Sequence, residues 1–214
     1  MTTEPAAPRP VVLVHGIWDS SDAFVPMAGW LRTRGFRPLA VDLTPSDGTV
    51  GLDELARQLA AFVDHQLPDG ETFDLVGFSM GGLVGRYYVQ RLGGAARVGR
   101  LITISAPHRG TCMAYASRNP ASRQMRPRSA FLKDLNGDVA LLARVRCASI
   151  WTPLDLMIVP AGSSRLGVGD HFRIPVVAHP LMLRDRRSLE LVERLLRESV
   201  HQDTRVQDTR IQDA

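Results

Sequence analysis

Apolar runs and amphipathic segments alternate along most of the chain. Short strand-like runs, with several β-branched residues among them, occur at 11–14, 37–43, 73–78, 101–105, 145–151 and 172–178, most of them bounded by Gly, Pro or Asp. Each predicts a strand. Helical spacing falls between most of them. Phe24, Met27 and Leu31 repeat at three to four residues, with Gly35 as a stop. Leu52, Leu55, Leu59, Phe62 and Val63 line one face of a second helix, and Asp53 and Glu54 suit the positive end of its dipole. Leu83, Val84 and Tyr87 continue a third helix toward Gly93 and Gly94. Leu189, Val192, Leu195 and Leu196 mark the last, with Ser188 as its candidate cap. Strands alternating with helices predict an α/β fold: a mostly parallel sheet of about six strands, covered on both faces. Such sheets place ligands at the carboxyl ends of their strands. Candidate chemistry is therefore sought just after each strand.

The Pro- and Ala-rich residues 1–10 read as a flexible lead, 11–198 as one domain, and 199–214 as a polar, disordered tail built on a QDTR near-repeat. The chain has 214 residues, 44% hydrophobic and 22% charged, which is enough to form a core. Its net charge of +4 comes almost wholly from arginine, with Lys133 the single lysine, and forms no dense basic stripe. Nucleic acid is therefore not an expected partner. Residues 109–138 stand apart: Arg109, Arg118, Arg123, Arg126, Arg128 and Lys133 face two acids, Asp134 and Asp138. With Met113, Tyr115, Met125, Phe131 and Leu132 in the same stretch, it reads as a mobile, cap-like insertion able to make transient contact with a lipid interface. The N-terminus has no apolar core of a signal peptide, so a cytoplasmic protein is expected. Cys112 and Cys147 form no disulfide framework and read as two free thiols or a single bridge, a choice the sequence leaves open. No close Cys/His cluster suggests a metal, and no cofactor is expected.

Gly77-Phe78-Ser79-Met80-Gly81 fits G-x-S-x-G between a predicted strand and a predicted helix. That setting is the nucleophile elbow: a tight, strained turn that exposes the serine hydroxyl above the sheet at a helix N-terminus. Acyl transfer also needs N–H donors for the oxyanion. Met80, after the nucleophile, and Ile17, in the His15-Gly16-Ile17-Trp18 loop after the first strand, are the candidates. His15 itself reads as a loop scaffold. In this arrangement the acid and then the base follow the serine. Among six histidines, His179 follows the last predicted strand and comes after every candidate acid. Asp155, in Thr152-Pro153-Leu154-Asp155, is the candidate acid, with Asp134, Asp138 and Asp170 also in the interval.

Together, VLVHG, GFSMGG, SAPHRGT, TPLDLMIVP and VVAHPLML resemble the motifs of bacterial α/β-hydrolase lipases and esterases. The resemblance is to the minimal members similar to Bacillus lipase A and to triacylglycerol-lipase-like proteins, over residues 10–198. It implies an α/β-hydrolase fold, Ser79 as nucleophile, Asp155 as acid, His179 as base, and Ile17 and Met80 at the oxyanion hole. It implies a serine esterase or lipase acting through an acyl-enzyme on a small-molecule ester or lipid, with no stable protein partner. Two other readings stay open at this point: an acyltransferase using the same triad, and a non-catalytic binding scaffold of the same fold.

Overall fold

A computed structural model describes residues 9–198. Residues 1–8 and the tail from 199 onward lie outside the described residues. Six strands form one sheet: β1 Pro10–Val14, β2 Arg37–Val41, β3 Phe73–Phe78, β4 Val98–Ile104, β5 Arg146–Trp151 and β6 Asp170–Arg173. Their order is β2-β1-β3-β4-β5-β6, with every pairing parallel. Parallel neighbours need crossovers, and helices supply those up to β5: α1 Val25–Arg32, α2 Leu52–Gln66 and α3 Met80–Arg91 each join one strand to the next, and α4 Pro120–Met125 and α5 Ala130–Gly137 lie between β4 and β5. The β5–β6 connection holds only a 3₁₀ turn, Ala161–Ser164, and α6 Arg186–Arg197 follows β6.

The period of two along each strand sorts the core into two layers. Val12 and Val14 of β1 point with Leu75 of β3 and Leu101 of β4 into one layer, closed by α2, α3, α4 and α5. Val11, Leu13, Val76 and Ile102 point the other way, against Met27 and Leu31 of α1 and Val192 and Leu195 of α6. Since both faces are covered, β1 reads as a continuous apolar run rather than an alternating one, and β3 is fully buried too, its one charge, Asp74, paired with Arg100 at 3.1 Å. Burying each such Val or Leu contributes about 1.5–3 kcal/mol.

Four details depart from the sequence reading. Pro10, assigned to the flexible lead, begins β1 and pairs with Arg37; a first strand position tolerates the missing N–H. The last strand is not 172–178. It runs Asp170–Arg173, and Pro175 ends it by removing a ladder donor, so the chain turns with Val176 N–H bonded to Ile174 O. The helix after it is capped by Asp185, whose carboxylate accepts from Arg187 N–H, while Ser188 is buried inside the first turn. The insertion is not a detached cap. Ala121, Met125 and Leu132 of α4 and α5 belong to the same buried layer as α2 and α3.

Strand order reverses where β1 lies between β2 and β3, and the loops after β1 and β3 open at that point. In a parallel sheet this crevice is where ligands sit.

Candidate active site

Ser79 joins β3 to α3 with φ +52 and ψ −120, a conformation that L-residues rarely hold. The glycines around it explain how it persists. A Cβ on Gly81 would collide with the carbonyl oxygens of Val14 and His15, and one on Gly77 would lie 2.6 Å from Gly81 O. The turn therefore closes only with hydrogen at both positions, and Ser79 N–H is held by Ile104 O at 2.8 Å. The side chain, 8% exposed, stands at the N-terminus of α3, where unpaired N–H groups and the helix dipole favour negative charge. Met80 is the first residue of that helix, so its N–H has no intrahelical acceptor.

Ile17 lies in the loop after β1, whose shape His15 maintains. The buried imidazole donates from Nδ1 to Gly16 O at 2.8 Å and accepts Leu43 N–H on Nε2 at 2.9 Å. Both ring nitrogens are thus engaged, as a scaffold requires. Trp18 follows with φ +61, its N–H bonded to Ser46 O, and Ile17 N–H has no backbone acceptor among the described residues.

The structure brings His179 and Asp155 together. His179 Nδ1 donates to Asp155 Oδ2 at 2.8 Å, and both side chains are buried. The other carboxylate oxygen accepts the N–H groups of Met157 and Ile158, each at 2.9 Å. Burial pushes the Asp155 carboxyl upward, but the hydrogen bond and charge of His179, with the two backbone donors, outweigh it and hold the group below its ordinary value. The imidazole packs on Phe78, the residue before Ser79, with ring centroids 4.7 Å apart. His179 does not follow a strand directly. It opens a short 3₁₀ helix, His179–Leu183, six residues beyond the end of β6. The other acids lie elsewhere: Asp134 and Asp138 pair with Arg91 at 2.9 and 2.6 Å, and Asp170 is exposed on β6.

A cavity of about 170 Å³ opens at Ser79. Ile17 and Trp18 line one side and Met157 and Ile158 another; the remaining wall comes from 111–125. The sequence singled out that segment but not how it is held. Thr111 Oγ1 donates to Met157 O and accepts Val159 N–H, at 2.7 and 3.0 Å, and Arg126 donates to Ala114 O and Ser117 O. Trp18, Met113 and Met157 line the cavity and are exposed, part of an apolar surface at this end of the sheet that the sequence reading missed. Every exposed large apolar side chain among the described residues, except Val25 and Leu141, sits in a loop at the carboxyl edge of the sheet; Trp18, Leu156 and Val177 are 65%, 78% and 70% exposed. The signal was present in the chain: between Trp151 and Arg165 the sole ionisable residue is Asp155, and between Arg173 and Arg184 it is His179.

Sheet order, elbow and crossover helices define an α/β-hydrolase. Solved structures share the fold. The mature Bacillus licheniformis lipase BlEst2 is 18% identical with a TM-score of 0.74, covering 90% of this chain and 93% of its own. Aspergillus fumigatus lipase B is 18% identical with a TM-score of 0.74, covering 86% and 51%. An extracellular α/β-hydrolase from a Paenibacillus species is 17% identical with a TM-score of 0.64, covering 87% and 98%. The family is given by sequence: residues 10–153 match the model of the palmitoyl protein thioesterase family, and the chain belongs to it.

Proposed function

We propose that the protein is a serine esterase that hydrolyses a carboxylic ester through an acyl-enzyme on Ser79. The observation that carries this reading is the hydrogen bond from His179 Nδ1 to a buried, ionised Asp155, with the imidazole packed on Phe78, the residue before a serine held in the strained elbow. With the proton of the neutral ring on Nδ1, Nε2 keeps a lone pair for the serine hydroxyl. Ser79 Oγ attacks the ester carbonyl as Nε2 takes its proton. The N–H groups of Ile17 and Met80 receive the oxyanion, and removing one such donor typically costs about 10²–10³ in kcat. The imidazolium then protonates the departing alcohol, leaving the acyl group on Oγ. Water, deprotonated by the same nitrogen, attacks that acyl group, and the acid leaves as Ser79 recovers its proton. No metal or organic cofactor enters these steps. The family's name adds thioesters as substrates open to the same chemistry.

The substrate side of the reading is apolar. Exposed apolar side chains at the carboxyl end of the sheet, beside an apolar cavity, suit poorly soluble esters, and it is they, more than the arginines of the insertion, that support transient contact with lipid. Arg126 is engaged within the insertion, stacked over Tyr115 and bonded to two carbonyls.

The test is an active-site-directed fluorophosphonate label with turnover of a short p-nitrophenyl ester. Wild type should label and turn over. Ser79→Ala should do neither while melting like wild type. Wild-type turnover in the variant would overturn the reading.

A further inference from the structure

One carboxylate beside Ser79 has no role in the triad. Asp19 follows Trp18 in the loop after β1; it is half-buried, and it accepts no hydrogen bond and forms no ion pair among the described residues. Its neighbours fix its place. Trp18 holds φ +61 with its N–H on Ser46 O at 2.8 Å, a turn that brings the next side chain back beside Gly16. A Cβ added to Gly16 would lie 3.0 Å from Asp19 Oδ2 and 3.3 Å from both Ser79 Cβ and Phe78 Cδ1. A single methyl group there would touch the carboxylate and the nucleophile at once, and glycine is what leaves the gap open. The surrounding loops bring no compensating cation. The chain has no Lys or Arg between Arg9 and Arg32 or between Arg37 and Arg57, the stretches that hold the loops after β1 and β2.

The side of the serine is defined as well. The cavity at Ser79 is lined by Ile17 and Trp18, by 111–125 and by 157–158, without Asp19. Asp19 approaches instead where Gly16 meets Phe78, and Phe78 is the ring on which His179 packs, with centroids 4.7 Å apart. His179 has to protonate the departing oxygen, so the leaving group occupies that side of Ser79. A bare carboxylate there has a cost. The tetrahedral intermediate carries negative charge, and a second negative charge close by raises its energy. A positive charge on the departing group reverses the sign, because it is drawn to Asp19 and offsets the oxyanion too. Trp18, exposed and with no arginine stacked on it among the described residues, offers the aromatic ring that attracts cations most strongly. We infer that Asp19 is a specificity-determining residue that selects esters whose alcohol part carries a positive charge, such as an ammonium group. The inference rests on the serine reading above and adds the charge of the leaving group to it.

The experiment compares butyrylcholine with 3,3-dimethylbutyl butyrate, whose tert-butyl group has the shape of trimethylammonium without its charge. Each kcat/KM is divided by the ester's own rate of hydroxide-catalysed hydrolysis, which removes the difference in intrinsic reactivity. Wild type should favour the cationic ester about tenfold at low salt, and the preference should shrink to about threefold in 0.5 M salt. Asp19→Asn keeps the shape and removes the charge. It should bring the ratio to about one, through a fall on the choline ester and a rise of about two- to threefold on the neutral one. The variant should melt like wild type, since no other group depends on the carboxylate. If it does not fold, the wild-type ratio and its salt dependence decide. A wild-type ratio of one or less, or a preference that persists in Asp19→Asn, would overturn the role of Asp19 while fluorophosphonate labelling of Ser79 keeps the serine reading intact. No turnover of either ester and no labelling would overturn both.

Discussion

Replacing Asp155 with asparagine tests the candidate triad at one atom. In the structure Oδ1 of Asp155 accepts two backbone N–H groups, from Met157 and Ile158, and Oδ2 accepts His179 Nδ1–H. An asparagine has one carbonyl oxygen to offer. The two N–H donors are fixed in the backbone, so the oxygen stays with them and the NH₂ group turns toward His179. Two donors cannot face each other, and the imidazole answers by moving its proton from Nδ1 to Nε2. Nε2 then has no lone pair for Ser79. The geometry survives and the base does not, which by analogy with serine proteases lowers kcat by about 10⁴, or about 5.4 kcal/mol. Stability should change little, since the backbone bonds persist; a loss of about 1 kcal/mol would lower Tm by about 2–4 °C. The assay is kcat on p-nitrophenyl butyrate with the rate of fluorophosphonate labelling in parallel, and both should fall together. Turnover within tenfold of wild type, in a protein that melts normally, would refute the assignment of Asp155. Asp134 and Asp138, already committed to Arg91, would be poor replacements.

Two further outcomes follow from the packing. His108 is buried, and burial together with the nearby Arg86 charge holds its imidazole well below the ordinary histidine value. The unfolded chain therefore takes up a proton near pH 6.5 that the folded protein refuses, so stability is full above that pH and falls below it, by up to about 1.4 kcal/mol per pH unit. Urea midpoints at pH 7.5 and 5.5 should converge in His108→Gln relative to wild type, and equal acid losses in both proteins would remove this account. At the carboxyl end of the sheet, Leu156→Ser with Val177→Ser should weaken binding to phosphatidylcholine vesicles about tenfold, with little dependence on salt because no charge is involved. Unchanged partitioning, or binding abolished by 0.5 M salt, would return the lipid contact to the arginines.

The chain by itself determined the parts that depend on near neighbours. Val11–Val14 reads as a buried strand because an apolar run of that length has few other places to go in a covered parallel sheet, and Phe73–Phe78 reads the same way apart from Asp74. Gly77, Ser79 and Gly81 marked the elbow by their spacing; the local turn accounts for Gly77, against Gly81 O, whereas Gly81 answers to Val14 and His15 across the sheet. The candidates Ser79, Asp155 and His179 were picked on the same local ground, each falling in a loop beyond a strand-like run. Tertiary structure decided what lies between distant segments. It brought Asp155 to His179 across 24 residues and sent Asp134 and Asp138 to Arg91. It ended β6 at Arg173, because Pro175 denies the sheet a donor whatever the apolarity of 174–178. It turned an insertion that reads as a loose basic cap into a wall, because Thr111 meets Met157 across 46 residues and Gln124 meets Asp53 across 71. Hydropathy reports which side chains leave water; it is silent on which of them meet, since that depends on the path of the whole sheet.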